Sequence, residues 1–236
     1  MALVHSELCV GCGKCVPYCP MGAISLSGGV ASIDQDECVE CGLCTENAIC
    51  PKKALYAPES FPWPRVLRSE FSNPHCPHRT GVTGRGTEEM KTNDVTGRYR
   101  FGKLGFAVEL GRPGTGARFR DMEKVTMALA KIPGVHFEEK NPVYALIEDP
   151  HSGKMRDDVL DEKVLSGIVE IMIDEAQLPD VLQALKQVEP TLDTVCSVDL
   201  ISRVQADGSI PALDVVRKLG YYVSPNCKTN LGFGHL

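Results

Sequence analysis

"CVGCGKCVPYCP", residues 9–20, places four cysteines within twelve residues. Cys9, Cys12, Cys15 and Cys19 stand in the order C-x2-C-x2-C-x3-C and are followed by Pro20. Cys38, Cys41, Cys44 and Cys50 repeat that order and are followed by Pro51. The sequels agree too: "CPMGAISL" and "CPKKALYA" each put an alanine four residues after the cysteine and an aliphatic residue one further on. The segment is therefore an internal duplication. Eight of the eleven cysteines fall in the first fifty residues, and clustering at such spacing points to metal binding rather than to disulfides, which are uncommon in a reducing compartment.

On these residues the segment from 1 to about 58 resembles the bacterial-type ferredoxins that carry two 4Fe-4S clusters. The resemblance implies that one cluster takes Cys9, Cys12, Cys15 and Cys50 and the other takes Cys19, Cys38, Cys41 and Cys44, the fourth cysteine of each run crossing to the other cluster. Two-residue gaps let a short turn aim successive sulfurs at different corners of a cube. Proline after the fourth cysteine fixes the backbone angle and removes an amide donor. Gly11, Gly13 and Gly42 allow the backbone to approach the inorganic sulfides. The second run departs from the pattern, since the five residues "TENAI" separate Cys44 from Cys50 where three are usual, so a longer local loop is expected there. Zinc is the competing occupant of paired C-x2-C units. A structural zinc site takes four ligands, however, and eight stand here in two triplet-plus-one runs.

The 236 residues suffice for one large domain or two small ones. No stretch reaches the roughly 18 consecutive apolar residues of a membrane span, and "MALVHSELC" lacks a basic region ahead of an apolar run. Both features favour a cytoplasmic protein, and exposed cubanes favour an anaerobic source. Charge is unevenly spread: 3 Lys/Arg against 6 Asp/Glu in residues 1–58, 8 against 5 in 59–103, and 14 against 20 in 104–236. A mildly basic middle between two acidic parts is not the concentrated patch of a nucleic-acid binder.

Residues 59–102 read as an extended linker or docking arm, rich in Pro, Gly, Ser, Thr and Asn and without a helix or strand period. Trp63 between Pro62 and Pro64 suggests an extended stretch anchored by its ring. "HCPH", His75 to His78, reads as a polar turn, because adjacent residues rarely converge on one ion. "GVTGRGTEEMKTND", with Gly84, Arg85 and Gly86 followed by Glu88 and Glu89, reads as an arm onto the first domain or a partner, or as a solvated loop.

From residue 103 the pattern becomes regular. "LGFAVEL" alternates Leu104, Phe106, Val108 and Leu110 as a strand does, and Phe119, Met122, Val125, Leu129 and Ile132 recur at helical spacing. A strand interrupted at Pro142 follows in "VHFEEKNPVYALIED", then a strand in "VLSGIVEIMIDE" and a helix in "LPDVLQALKQVEP". A fourth strand, "DTVCSVDLISRV", would bury Cys196. A last helix, "SIPALDVVRKLG", would start with Ser209 as cap and stop at Gly220. The expected fold is α+β: a small two-cluster ferredoxin domain joined by a long linker to a ferredoxin-like split βαβ sandwich over 103–236, with an extra C-terminal helix and tail. The pattern is similar to ACT-type regulatory domains by fold analogy, and such domains commonly pair, so a homodimer through this part is expected. Gly111, Arg112, Gly114 and Gly116 lead into a helix N-terminus beside Arg118 and Arg120. They read either as a small-anion or effector loop or as a tight turn that needs glycine angles. Cys227 in the tail belongs to no ligand set.

All eight ligand positions are cysteine, so no iron is left with an open site, and no nucleophile and base converge elsewhere. The expected function is electron transfer: a non-catalytic component passing single low-potential electrons to or from a partner oxidoreductase. Two alternatives stand beside it: a ligand- or redox-responsive regulator using the Gly111–Gly116 loop, and a reductive activator of a corrinoid or nickel enzyme.

Overall fold

A computed structural model describes residues 1–76, 84–86, 97–112 and 114–225. The fold is α+β, with helices set against antiparallel sheets. At the N-terminus, β1 (Leu3–Val4) pairs with β4 (Leu55–Tyr56), which ties the two ends of the duplicated segment together. Between them β2 (Ile24–Ser27) and β3 (Val30–Ile33) form a hairpin. Its two-residue turn, Gly28–Gly29, has positive φ at both positions, as the hairpin turn that matches strand twist requires. Gly11 packs against this turn so closely that a Cβ there would stand 2.3 Å from the Gly29 carbonyl oxygen. The aliphatic core of this part is small: Ala2, Ile24, Ala31, Ile33 and Leu55, with cysteines packed against it. So few side chains rarely hold a unit of this size without a metal or disulfide staple.

The stretch read as a linker without helical period contains a buried helix. After α1 (Leu43–Glu46), α2 runs from Val66 to Ser72, and all seven of its residues are buried. Its surroundings explain why periodicity missed it. Leu67 and Phe71 enter the core of the C-terminal part, Phe71 meeting Phe119 edge to face at 5.1 Å. The opposite side, with Arg68 and the preceding Arg65, grips the first part. A short helix covered on every side has no solvent face, hence no amphipathic signature.

In the C-terminal part, β5 (Lys103–Leu110), β7 (His136–Phe137), β11 (Gly167–Asp174) and β12 (Cys196–Ile201) form one sheet in the order β12-β5-β11-β7. Every neighbouring pair in it is antiparallel. Counted among these four, the order is fourth, first, third, second. Helices α3 (Phe119–Ala130) and α4 (Leu178–Val188) cover one face, burying Phe119, Met122, Val125 and Leu129 against Leu104, Phe106, Val108 and Leu110. Ile132 packs at the margin of this core. Short pairs complete the part: β6 (Ala117–Arg118) with β10 (Lys163–Val164), and β8 (Ile147–Asp149) with β9 (Lys154–Met155).

Three local expectations change. The strand expected across Pro142 contributes only the two residues of β7 to the sheet, because Asn141 turns the chain, its Oδ1 accepting the Val143 N–H at 2.7 Å and its Nδ2 donating to Glu170 at 2.6 Å. Cys196 is half-buried rather than enclosed, since β12 is an edge strand. The last helix, α5 (Pro211–Lys218), is preceded by Ile210 as N-cap with no side-chain cap, while Ser209 donates its own N–H to Asp207 at 2.9 Å. Gly220 follows that helix at φ +79, as expected of its stop.

Candidate metal centre

The two cysteine runs converge on two cavities. One is lined by Cys9, Cys12, Cys15 and Cys50 among Val4, Val10, Leu26 and Ala31. The other, of about 470 Å³, is lined by Cys19, Cys38, Cys41 and Cys44 among Ala2, Ile24, Ile33 and Leu55. Each cavity thus holds the triplet of one run and the fourth cysteine of the other. Among the described residues no three His, Cys, Asp or Glu side chains close on a single ion.

Backbone amides already point at sulfur. Ala23 donates its N–H to Cys19 Sγ at 3.2 Å, and Ala54 does the same to Cys50 at 3.3 Å. These are the two alanines aligned by the duplication, so the repeat carries a hydrogen bond as well as a cysteine. Ala31, on β3, donates to Cys9 at 3.3 Å. Amide donors on ligand sulfur orient a thiolate and stabilise its charge. The extra residues before Cys50 are taken up by α1 and a turn at Ala48, whose φ is +51; Asn47 Nδ2 closes the turn on the Leu43 carbonyl at 3.0 Å.

The electrostatic setting differs between the groups. Burial, reinforced by Glu40, pushes the Cys38 thiol up to about 11, and burial together with the neighbouring thiols pushes Cys44 up to about 12. Thiols so disfavoured as free anions release their protons when a cation binds. Burial acts on Cys50 as well, but amides from Ala54, Lys52, Leu55 and Lys53 together outweigh it and lower that thiol. Of the eight run cysteines Cys12 is the exposed one, so its cavity is called the outer one and the cavity walled by Ser69 of α2 the inner.

The inner cavity is held by α2. Arg68, itself buried, donates Nη1 to the carbonyls of Asp36 and Cys38 at 2.8 Å each and to that of Gln35 at 3.1 Å, while its Nε pairs with Glu162. Arg65 pairs with Glu40 at 2.6 Å, and the other Glu40 oxygen accepts the Ala2 N–H at 2.9 Å. The Cys38 backbone is thereby tied to the C-terminal part through one guanidinium.

A family model described as a 4Fe-4S dicluster domain matches residues 8–62. The ferredoxin 7Fe of Hydrogenibacillus schlegelii is 38% identical over 64 residues, covering 26% of this chain and 80% of that protein. Through this N-terminal part, the chain belongs to the ferredoxin family. Similar segments occur in larger settings. A component of an ion-translocating oxidoreductase complex from Methanosarcina acetivorans is 51% identical over 47 residues, 20% of this chain and 17% of that protein. The pyruvate synthase subunit PorD of Thermotoga maritima is 41% identical over 54 residues, 22% of this chain and 52% of that protein. The chain thus spans about half or less of these two relatives' own lengths. No solved structure matches the chain.

Elsewhere the ferredoxin-family chain places its remaining candidates as follows. Gly111, Gly114 and Gly116 all have positive φ, and a Cβ on Gly111 would stand 2.8 Å from the Gly116 carbonyl carbon. Arg112 is paired with Glu109 at 2.9 Å, Arg118 with Asp36 at 2.7 Å, and Arg120 with Asp161. These φ values and the close approach at Gly111 are ones that only glycine meets without strain, and the three guanidiniums already hold carboxylates. This loop also lies against the ferredoxin part, since a Cβ on Gly116 would be 2.7 Å from Met21 Cε. Trp63 is anchored as its prolines suggested: its indole N–H donates to Asp158 at 2.6 Å and Arg156 lies 4.7 Å above the ring. Arg85 lies on the C-terminal sheet, its carbonyl accepting the Ile168 N–H at 3.0 Å and its guanidinium reaching Glu109 and Ser166. His75 and Cys76 line the inner cavity, Cys76 Sγ donating to Ser69 at 3.3 Å. Pro77, His78, Glu88, Glu89 and Cys227 lie outside the described residues. Sequence reasoning missed Arg65, Arg68 and Glu162; the one available signal was an arginine pair three apart beside apolar residues in an aperiodic segment.

Proposed function

We propose that the chain is an iron-sulfur electron-transfer protein or subunit that carries two 4Fe-4S clusters and passes single electrons to or from a partner oxidoreductase. The observation that supports this reading most is the segregation of eight cysteines into two cavities, each taking three from one run and one from the other. Cys9, Cys12, Cys15 and Cys50 would hold the outer cluster; Cys19, Cys38, Cys41 and Cys44 would hold the inner. When bound, the clusters supply reversible one-electron chemistry. The protein's own residues orient the thiolates through the Ala23, Ala31 and Ala54 amides, enclose them in aliphatic walls, and fix the Cys38 backbone through Arg68. With cysteine at every ligand position, no iron is left open to substrate, which favours a carrier over a catalyst.

For residues 103–225 we read the sheet order and its two covering helices as a split βαβ sandwich of ACT-like pattern, serving as a support for the inner cluster rather than as an effector site. The ion pairs on Arg112, Arg118 and Arg120 favour support over anion binding. Iron and acid-labile sulfide counted on anaerobically prepared chain test the reading. About eight irons per chain, with one-electron reduction of two interacting centres, is the expected result. Stoichiometric zinc, or about four irons with four cysteines alkylatable, would overturn it.

A further inference from the structure

The ferredoxin part has an unusual division of charge. Its three Lys/Arg residues, Lys14, Lys52 and Lys53, are all exposed, and two of them line the outer cavity beside Cys12. Of its six carboxylates, four are turned toward α2 and the C-terminal part: Asp36 on Arg118, Glu37 on Lys163, Glu40 on Arg65, and Glu46 on Asn73. The other two, Glu7 and Asp34, are exposed but line neither cavity, so the charged side chains that line the outer cavity are lysines alone. Beside these lysines stand exposed apolar side chains, Val10 at 61% and Leu26 at 45%. The inner cysteines lie on the side held by Arg68. An apolar patch rimmed by charge of one sign is the anatomy of a transient protein interface.

We propose that the outer-cavity end, built from Val10 and Leu26 with Lys14 and Lys52 at its rim, is the docking face for a redox protein whose own exposed centre is ringed by aspartate and glutamate. The inference rests on the electron-transfer reading. In each productive encounter one electron crosses between the partner's centre and the outer cluster; the donor loses it, the acceptor gains it, and no bond or proton is exchanged. The inner cluster reaches this partner through the outer one. Acidic partners are steered to the face and basic ones repelled.

Two soluble acceptors of opposite charge provide the test: flavodoxin, acidic around its flavin, and cytochrome c, basic around its haem. Full-length, iron-replete chain is reduced anaerobically, and second-order rates of acceptor reduction are followed by stopped flow at about 20 and about 200 mM salt. The flavodoxin rate should fall steeply with salt, and Lys14→Glu with Lys52→Glu should lower it about tenfold at low salt while raising the cytochrome c rate. Lys14→Gln with Lys52→Gln should act in the same direction less strongly, which preserves the test if the reversed pair loses iron. Lys218→Glu, on α5, should leave both rates unchanged. A flavodoxin rate indifferent to these lysines, or one lowered equally by Lys218→Glu, overturns the docking face alone. Failure of the iron-replete chain to reduce either acceptor overturns the electron-transfer reading and the docking face with it.

Discussion

Cys50 and Glu109 show how single side chains carry consequences that differ in kind. Cys50 is the thiol that leaves its own run for the outer cavity, and its amide donors are already in place. Replacing it with serine removes a soft ligand from one centre only, so Cys50→Ser should keep about half of the iron, measured per chain by colorimetric assay. Glu109 accepts from both Arg85 and Arg112; partial burial opposes its ionisation, but these guanidiniums outweigh it and hold the carboxyl below its ordinary value of 4.5. A carboxylate depressed in the folded state contributes stability that is present above 4.5 and is lost as pH falls through the lower folded value. Glu109→Gln should therefore flatten the acid limb below pH 4.5 in a denaturation series while lowering stability at neutral pH.

At the scale of elements, α2 is the joint. Its Arg68 satisfies three carbonyls of the 35–38 loop and the Glu162 carboxylate at once. Removing one partner of a buried pair leaves the other charge uncompensated, which costs about 3–5 kcal/mol. Arg68→Ala should show a loss of that order in chemical denaturation, whereas breaking an exposed pair such as Lys154 with Asp157 should cost far less, since solvent screens it. Neither the helix nor its role could be read from periodicity, since its apolar side faces one core and its polar side faces carbonyls instead of water. By contrast, α3 and α4 were legible because each has one wet face. The same reasoning explains the short β7: the residues around Pro142 have strand composition, but Asn141 spends its side chain on a turn.

For the whole molecule, the two parts have separate cores of unequal size. The N-terminal core is five aliphatic residues without an aromatic, and the C-terminal one includes Phe106, Phe119, Leu104, Met122 and Ile171. Removing iron should therefore unfold the first part and spare the second. After extraction with chelator, hydrogen exchange should show residues 1–58 unprotected while β5 and β11 stay protected. Protection retained throughout would mean that the C-terminal part alone holds the ferredoxin part in shape. The joint also gives the charge division its meaning, because carboxylates drawn into it leave the lysines to face solvent.

The duplicated cysteine runs, their expected cluster chemistry and the core faces of the long strand and two long helices could be read from residue order, because ligand spacing and amphipathic period are local properties of a chain. The exchange of fourth cysteines came only with the family resemblance. Tertiary structure alone brought Arg68 to the Cys38 carbonyl, set Gly116 against Met21 of the ferredoxin part, and placed Ser69 of α2 in the wall of one of the two cavities. Each of these depends on groups 30 or more residues apart meeting in space, as Arg68 and the Cys38 carbonyl do, and burial on all sides erases the periodic trace that such contacts would otherwise leave in the sequence.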